Sequence, residues 1–211
     1  MDTSNRRLVS FARENRAPAT IVNAIGRSRS QKLLPYLKPW LPESGTVLDI
    51  GTGSAHMAEA VETLERKVIG LDITDMRFVP MSLVYGDGAQ LPFADFSFRA
   101  VMLLTVLHHI PSAAHVPVLR EAVRVLKPGG RLLLLEDTYH SKVERKFTLF
   151  LDTMMNAEFT GHPHANRRLG EWQDLIASLQ LEITHASEFF VWYGLFRIRH
   201  ALIVIEKTGS Q

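Results

Sequence analysis

The residues of this chain best suited to chemistry are acids and glycines set at strand ends. Asp49 interrupts the apolar run Thr46-Val47-Leu48-Asp49-Ile50, and Gly51-Thr52-Gly53 follows at once. A glycine pair between a buried strand and a helix permits φ > 0 in a tight turn. It also removes the Cβ atoms that would hold a ligand off the backbone. The helix expected behind it, 54–65, presents unsatisfied N–H groups to anything bound in the loop. Asp72 closes the next apolar run, Lys67 to Leu71, one helix plus one strand after Gly53. That distance brings its two carboxylate oxygens beside a ribose, with Ile73 placed to cover an adenine face. A further run, Arg131 to Leu135, ends on Glu136 and Asp137. In open α/β sheets ligands bind outside the carboxyl ends of the strands, so this acidic rim marks the candidate site and suits a cationic ligand.

The glycines alone do not identify the ligand. A dinucleotide loop reads G-x-G-x-x-G/A, whereas here the sixth position is His56. Asp49 discriminates better. A carboxylate two residues before the first glycine lies close to where a dinucleotide sets its pyrophosphate, and like charges repel strongly in a partly desolvated site. S-adenosylmethionine carries a sulfonium and an ammonium and no phosphate, so the sign is right for it. The stretch Val47-Leu48-Asp49-Ile50-Gly51-Thr52-Gly53-Ser54-Ala55 resembles the first motif of the class I S-adenosylmethionine-dependent methyltransferases.

The resemblance extends along the chain. Gly86-Asp87-Gly88-Ala89-Gln90-Leu91-Pro92-Phe93 is similar to the family's G-D-A-x-x-L-P-F segment. It implies that Asp87 accepts from the adenine amino group and that the Gly88 N–H reaches a ring nitrogen. Phe98 to Ile110, ending Leu107-His108-His109-Ile110, resembles the family's fourth strand, and places Thr105 where a strand-end carbonyl takes the methionine ammonium. Leu119 to Leu135 resembles the following helix and strand. The resemblance covers 46–136 closely and 137–206 in outline, and is nearest to the small-molecule enzymes related to the quinone C-methyltransferases. Asp49, Gly51, Thr52, Gly53, Asp72, Ile73, Asp87, Gly88 and Thr105 are therefore the expected contacts of S-adenosylmethionine. Arg99, in place of the acid that usually opens strand four, and Gly88, in place of Ala, depart from the family pattern without removing such a contact.

The elements that must position these residues alternate. Strands are expected at 46–50, 67–71, 82–85, 99–105 and 131–136, with helices at 54–65 and 112–126. Two β-rich runs, 181–191 and 196–206, join near Gly194 and read as an antiparallel pair. The expected fold is α/β, a doubly wound seven-stranded Rossmann-like methyltransferase sheet whose last two strands are that pair. Residues 1–40 read as an N-terminal helical cap of two or three helices punctuated by Pro18, Gly26 and Pro35. Residues 46–136 form the cofactor half, 137–180 a helical insert, and 181–207 the closing strands, within one domain of 211 residues.

Composition narrows the classes. There are no cysteines, which excludes disulfides, thiolate metal sites and cysteine nucleophiles. Histidines lack H-x-x-x-H or H-E-x-x-H spacing, so no metal site is expected. No apolar run is long enough to span a bilayer and the N-terminus lacks a signal-peptide core, so a cytoplasmic protein is expected. Net charge is +2, but residues 1–38 are basic, with Arg6, Arg7, Arg13, Arg16, Arg27 and Arg29, while the remainder is net acidic. Such a segment is either an ordinary charged helix surface or an RNA-binding face.

The expected reaction is methyl transfer from S-adenosylmethionine to a small, largely apolar acceptor. The acceptor would be enclosed by residues 8–37 and by 139–160, where Val143, Phe147, Phe150, Leu151 and Met154 form an apolar stripe. His109 and His140, after strands four and five, are the candidate general bases. The alternatives are an RNA methyltransferase using the basic N-terminal segment, a non-catalytic cofactor-binding subunit and, disfavoured by Asp49 and His56, a nicotinamide-dependent oxidoreductase.

Overall fold

The computed structural model describes residues 16–62, 65–155 and 164–209. Seven strands form one sheet: β1 (Thr46–Ile50), β2 (Lys67–Asp72), β3 (Ser82–Tyr85), β4 (Phe98–Leu104), β5 (Leu126–Asp137), β6 (Ile183–Tyr193) and β7 (Phe196–Glu206). Their order is β3-β2-β1-β4-β5-β7-β6. The first five are parallel, and β7 runs antiparallel between β5 and β6. Helices are α1 (Arg16–Leu37), α2 (His56–Glu62), α3 (Ser112–Arg124), α4 (Lys142–Met155) and α5 (Leu169–Ser178). The expected sheet is therefore present, closing pair included.

The central strands read as unbroken apolar runs because both faces are covered. Along β5, Leu132 and Leu134 join the layer that holds α3 and α5, with Leu119, Trp172 and Ile176. Leu133 and Leu135 join the opposite layer, where α1 and α2 contribute Leu33, Leu37, Ala58 and Val61. This second layer leads to the candidate site.

Two boundaries differ from expectation. The chain 16–37 is one 22-residue helix that runs through both Gly26 and Pro35. An interior proline costs a helix about 3 kcal/mol. Pro35 lies in the last turn, however, and the helix buries Leu33 and Leu37 completely, each worth roughly 1.5–3 kcal/mol. Residues 1–15, where further helix was expected, lie outside the described residues. β5 begins at Leu126 instead of 131 and runs through Lys127 to Gly130, with Gly129 at φ +72° and a register shift against β4 between Phe98 and Ala100. It also continues to Asp137, which puts that carboxylate in the sheet, not in the segment after it.

Gly26 is where α1 meets α2. A Cβ there would lie 2.2 Å from His56 Nδ1. The His56 ring is buried and held at both nitrogens, by Ser54 Oγ at 3.0 Å and Asn23 Oδ1 at 2.8 Å. Gly26→Ala gains up to about 1 kcal/mol of helix propensity and incurs about 1–3 kcal/mol of overpacking. Net destabilisation of roughly 1–2 kcal/mol is expected in urea denaturation; an unchanged midpoint would mean that α1 is not seated against His56.

Candidate active site

The strand ends open on one cavity of about 520 Å³. Asp49, Gly51, Thr52, Gly53, Asp72, Ile73, Asp87, Gly88, Thr105 and His109 all line it. The topology explains the convergence. β1 is central and pairs with β2 on one side and β4 on the other, so the ends of β2, β1 and β4 carry Asp72, the glycine loop and Thr105 in a row.

The loop has the backbone that its glycines suggested. Gly51, Gly53 and Ala55 have φ of 72°, 50° and 68°. Gly51 needs its missing side chain for packing, since a Cβ would stand 2.6 Å from Val106 Cγ2. Gly53 faces open space instead: nothing but the Gly51 carbonyl comes within 4.0 Å of its Cβ position. The Gly53 N–H donates to Asp72 Oδ2 at 3.0 Å, and Thr74 N–H donates to Oδ1 at 3.2 Å. Asp72 thus fastens the loop to β2 at the cavity wall. Burial raises its carboxyl above the ordinary range, against these backbone hydrogen bonds.

Asp49 is buried under the loop and accepts from Thr52 Oγ1 at 2.8 Å. Burial, with the neighbouring Asp72 charge adding to it and the Thr52 hydrogen bond opposing it, pushes its carboxyl up to about 7. A cation arriving there relieves that cost; an anion would add to it. Asp87 caps its own turn, accepting from Ala89 N–H at 2.8 Å. Gly88 packs closely, with Ile50 Cγ2 at 3.1 Å from its Cβ position. Ile73 is an exposed apolar side chain at the cavity edge, 60% accessible. Thr105 has φ 58° immediately after β4, and its N–H donates to the Leu135 carbonyl at 2.6 Å.

His140 requires correction. It is not on the cavity. The chain turns outward after β5, and the His140 side chain, 57% exposed, pairs with Glu188 Oε2 at 2.6 Å. The expected enclosure by 139–160 also differs: none of residues 139–151 lines the cavity, and the side chains of 152–160 lie outside what the structure describes. On α4, Val143 and Phe150 are exposed while Leu151 is buried. From the other expected wall, 8–37, α1 lines the cavity through Val22, Ile25 and Leu33, and the β6–β7 hairpin lines it through Tyr193, Ile198 and His200.

Sequence reasoning passed over several of these residues. Arg29, part of the basic N-terminal segment, donates through Nη2 to Thr105 Oγ1 at 2.7 Å inside the cavity. Arg27 is also engaged, by Glu59 through two hydrogen bonds. Glu136, read only as part of an acidic rim, is a buried scaffold: it accepts from the N–H groups of Val106 and Leu107 and lies 2.5 Å from His108 Nδ1. Asp137 faces His200 across β5 and β7, an antiparallel register that no local motif encodes.

Comparison with known proteins agrees with this geometry. Residues 48–134 match the methyltransferase domain family. The 27-O-demethylrifamycin SV methyltransferase of Amycolatopsis mediterranei is 39% identical over 83 residues, which are 39% of this chain and 28% of that protein. The demethylmenaquinone methyltransferase of Bacillus cereus is 30% identical over 124 residues, 47% of this chain and 51% of that protein. The chain thus spans about half or less of the length of these curated relatives. Among solved structures, a SAM-dependent methyltransferase from Methanosarcina mazei superposes with a TM-score of 0.66 at 22% identity, covering 82% of this chain and 97% of that one. One from Archaeoglobus fulgidus gives 0.65 at 16% identity, covering 86% and 94%. At these identities the likeness establishes the fold. Among the described residues no helix is long and apolar enough to cross a membrane.

Proposed function

We propose that this chain, whose residues 48–134 match the methyltransferase domain family, transfers a methyl group from S-adenosylmethionine to a small, largely apolar acceptor. The observation that carries the reading is the cavity itself. One wall holds a glycine loop over a buried, protonatable Asp49, with Asp72 and Asp87-Gly88 beside it. The other holds the apolar underside of α1.

The residues fit the cofactor. The strained Asp49 carboxyl favours a cationic group, and the open Cβ position at Gly53 lets a ligand approach the backbone. Asp72 would take the ribose hydroxyls, Ile73 and Asp87-Gly88 the adenine, and Thr105 with Asp49 the ammonium. Arg29, brought to Thr105 by α1, would meet the carboxylate. When bound, the cofactor supplies a methyl group activated by its positive sulfur. The chain's work is to exclude water and hold the nucleophile in line with that methyl, which is catalysis by proximity and orientation. Val22, Ile25, Leu33 and Ile198 give the acceptor an apolar enclosure. His109, on the same cavity, remains a candidate to receive the acceptor's proton. A cytoplasmic location accords with this use.

The RNA alternative draws less support, because Arg27 and Arg29 are spent on Glu59 and Thr105. S-adenosylhomocysteine tests the reading. At a hundred times its dissociation constant a native-state ligand stabilises by about 2.7 kcal/mol, so the melting temperature should rise by several degrees. NAD and NADP should leave it unmoved. Stabilisation by NAD and none by S-adenosylhomocysteine would overturn it.

A further inference from the structure

Beyond β4, the sheet edge of the cavity carries a second group of polar residues that cofactor binding does not use. Asp137 and His200 are cross-strand partners on β5 and β7, and His200 Nδ1 lies 2.8 Å from Asp137 Oδ1. Both are buried. On its other side, His200 Nε2 is 3.3 Å from the Tyr193 hydroxyl on β6. All three residues line the cavity. Their position follows from strand order: a cofactor lying across β2, β1 and β4 leaves the ends of β5, β7 and β6 for the acceptor.

We propose that Asp137, His200 and Tyr193 form a proton relay at the acceptor end of the cavity, and that the acceptor is a hydroxyl compound. The inference rests on the methyl-transfer reading above. With its proton on Nδ1, the nitrogen that lies 2.8 Å from the Asp137 carboxylate, His200 has Nε2 as an acceptor, and the Tyr193 hydroxyl donates to it. As the acceptor oxygen attacks, the O–CH3 bond forms and the S–CH3 bond breaks, its electron pair staying on sulfur. The acceptor's proton passes to Tyr193 as the Tyr193 proton passes to His200 Nε2. The result is an imidazolium held against the Asp137 carboxylate, with no other reactant needed. Tyr193 and His200 are the catalytic residues, and Asp137 is a positioning residue.

The surroundings suit this traffic. Burial on its own would raise the Asp137 carboxyl, but His200, His108 and Arg29 hold it well below the usual carboxylate range, so it stays ionised. Burial raises the Tyr193 hydroxyl, with Arg29 opposing, so it stays a neutral donor. Among the described residues, the charged or titratable groups facing the relay are Arg29 and Lys32 from α1, the latter 5.4 Å from the Tyr193 ring centre, and His108 with its partner Glu136.

Methyl-labelled S-adenosylmethionine tests the relay, with 1-naphthol, 4-nitrophenol and benzyl alcohol as hydroxyl probes and 1-naphthylamine and thiophenol as controls. Label should pass to a hydroxyl. Tyr193→Phe and His200→Gln should each lower kcat at least tenfold with S-adenosylhomocysteine affinity unchanged. The loss should be smaller for 4-nitrophenol, which ionises unaided. Asp137→Asn removes the charge that favours imidazolium, so the acid limb of the pH–rate profile should move to lower pH as the plateau falls. Transfer to thiol or amine alone, no transfer to any hydroxyl by protein that binds S-adenosylhomocysteine, or kcat within twofold in both Tyr193→Phe and His200→Gln would overturn the proposal. Failure of the cofactor reading would show separately, as no S-adenosylhomocysteine binding by wild type.

Discussion

Asp72→Ala should weaken S-adenosylhomocysteine binding by about 2–4 kcal/mol, roughly 30- to 1000-fold, in calorimetric titration. Each Asp72 oxygen accepts a backbone N–H, from Gly53 and from Thr74, and the residue lines the cavity. Two charge-assisted hydrogen bonds to ribose hydroxyls are lost with the side chain. The anchor of the glycine loop is lost with it, so the upper part of the range is the more demanding expectation. The fold should survive, because Asp72 ends its strand and packs in neither core layer. Asp72→Asn keeps the shape and one acceptor and should lose less. An unchanged dissociation constant for Asp72→Ala would mean that the ribose is held elsewhere.

Affinity for the zwitterionic cofactor should fall as pH falls below about 7, by up to tenfold per unit. The cause is Asp49, whose carboxyl is pushed up to about 7 by burial. The ammonium favours the ionised form, so binding below that value must first displace a proton. The same shift acts on stability with a definite sign. Between about pH 4 and 7 the native state keeps a proton that the unfolded chain has released, so stability contributed by this group falls as pH rises through that window. At most the change is on the order of 4 kcal/mol, about 1.36 kcal/mol for each pH unit. Other carboxylates work the opposite way: those of Glu121 and Asp137 are held low by Arg124 and His200. The difference between wild type and Asp49→Asn is therefore the useful quantity. Asp49→Asn should bind the cofactor weakly at pH 7.5 and show a flat affinity profile from pH 5.5 to 7.5. Equal slopes in the two proteins would remove Asp49 from the ammonium site.

The sheet was legible because its signals are local. Ala100 to Leu104 and Leu132 to Leu135 are apolar on both faces, which only a doubly covered strand requires, and glycines and acids punctuate their ends. The cofactor residues were legible for the same reason: loop, strand and acid follow one another within a short stretch. What was missed depends on contacts between distant segments. Gly26 and Pro35 read as helix breaks, yet α1 continues because Leu33 and Leu37 find a core that the local sequence does not announce. Arg29 read as surface charge because its partner, Thr105, is on another element. His140 stood one strand end from the site in sequence, and Glu188 and Glu144 hold that turn on the outside. Asp137 and His200 meet only through the antiparallel register of β5 and β7, which a spacing rule for parallel strands cannot anticipate.

The most direct measurement is a crystal structure of the protein grown with S-adenosylhomocysteine. The ligand should lie across the ends of β2, β1 and β4, with its ribose on Asp72, its adenine between Ile73 and Asp87-Gly88, and its amino group near Asp49 and Thr105. The sulfur should face the space bounded by α1, Tyr193 and His200. Density for the ligand away from the Gly51–Gly53 loop, or a loop that admits only a dinucleotide, would contradict the assignment of this cavity to methyl transfer.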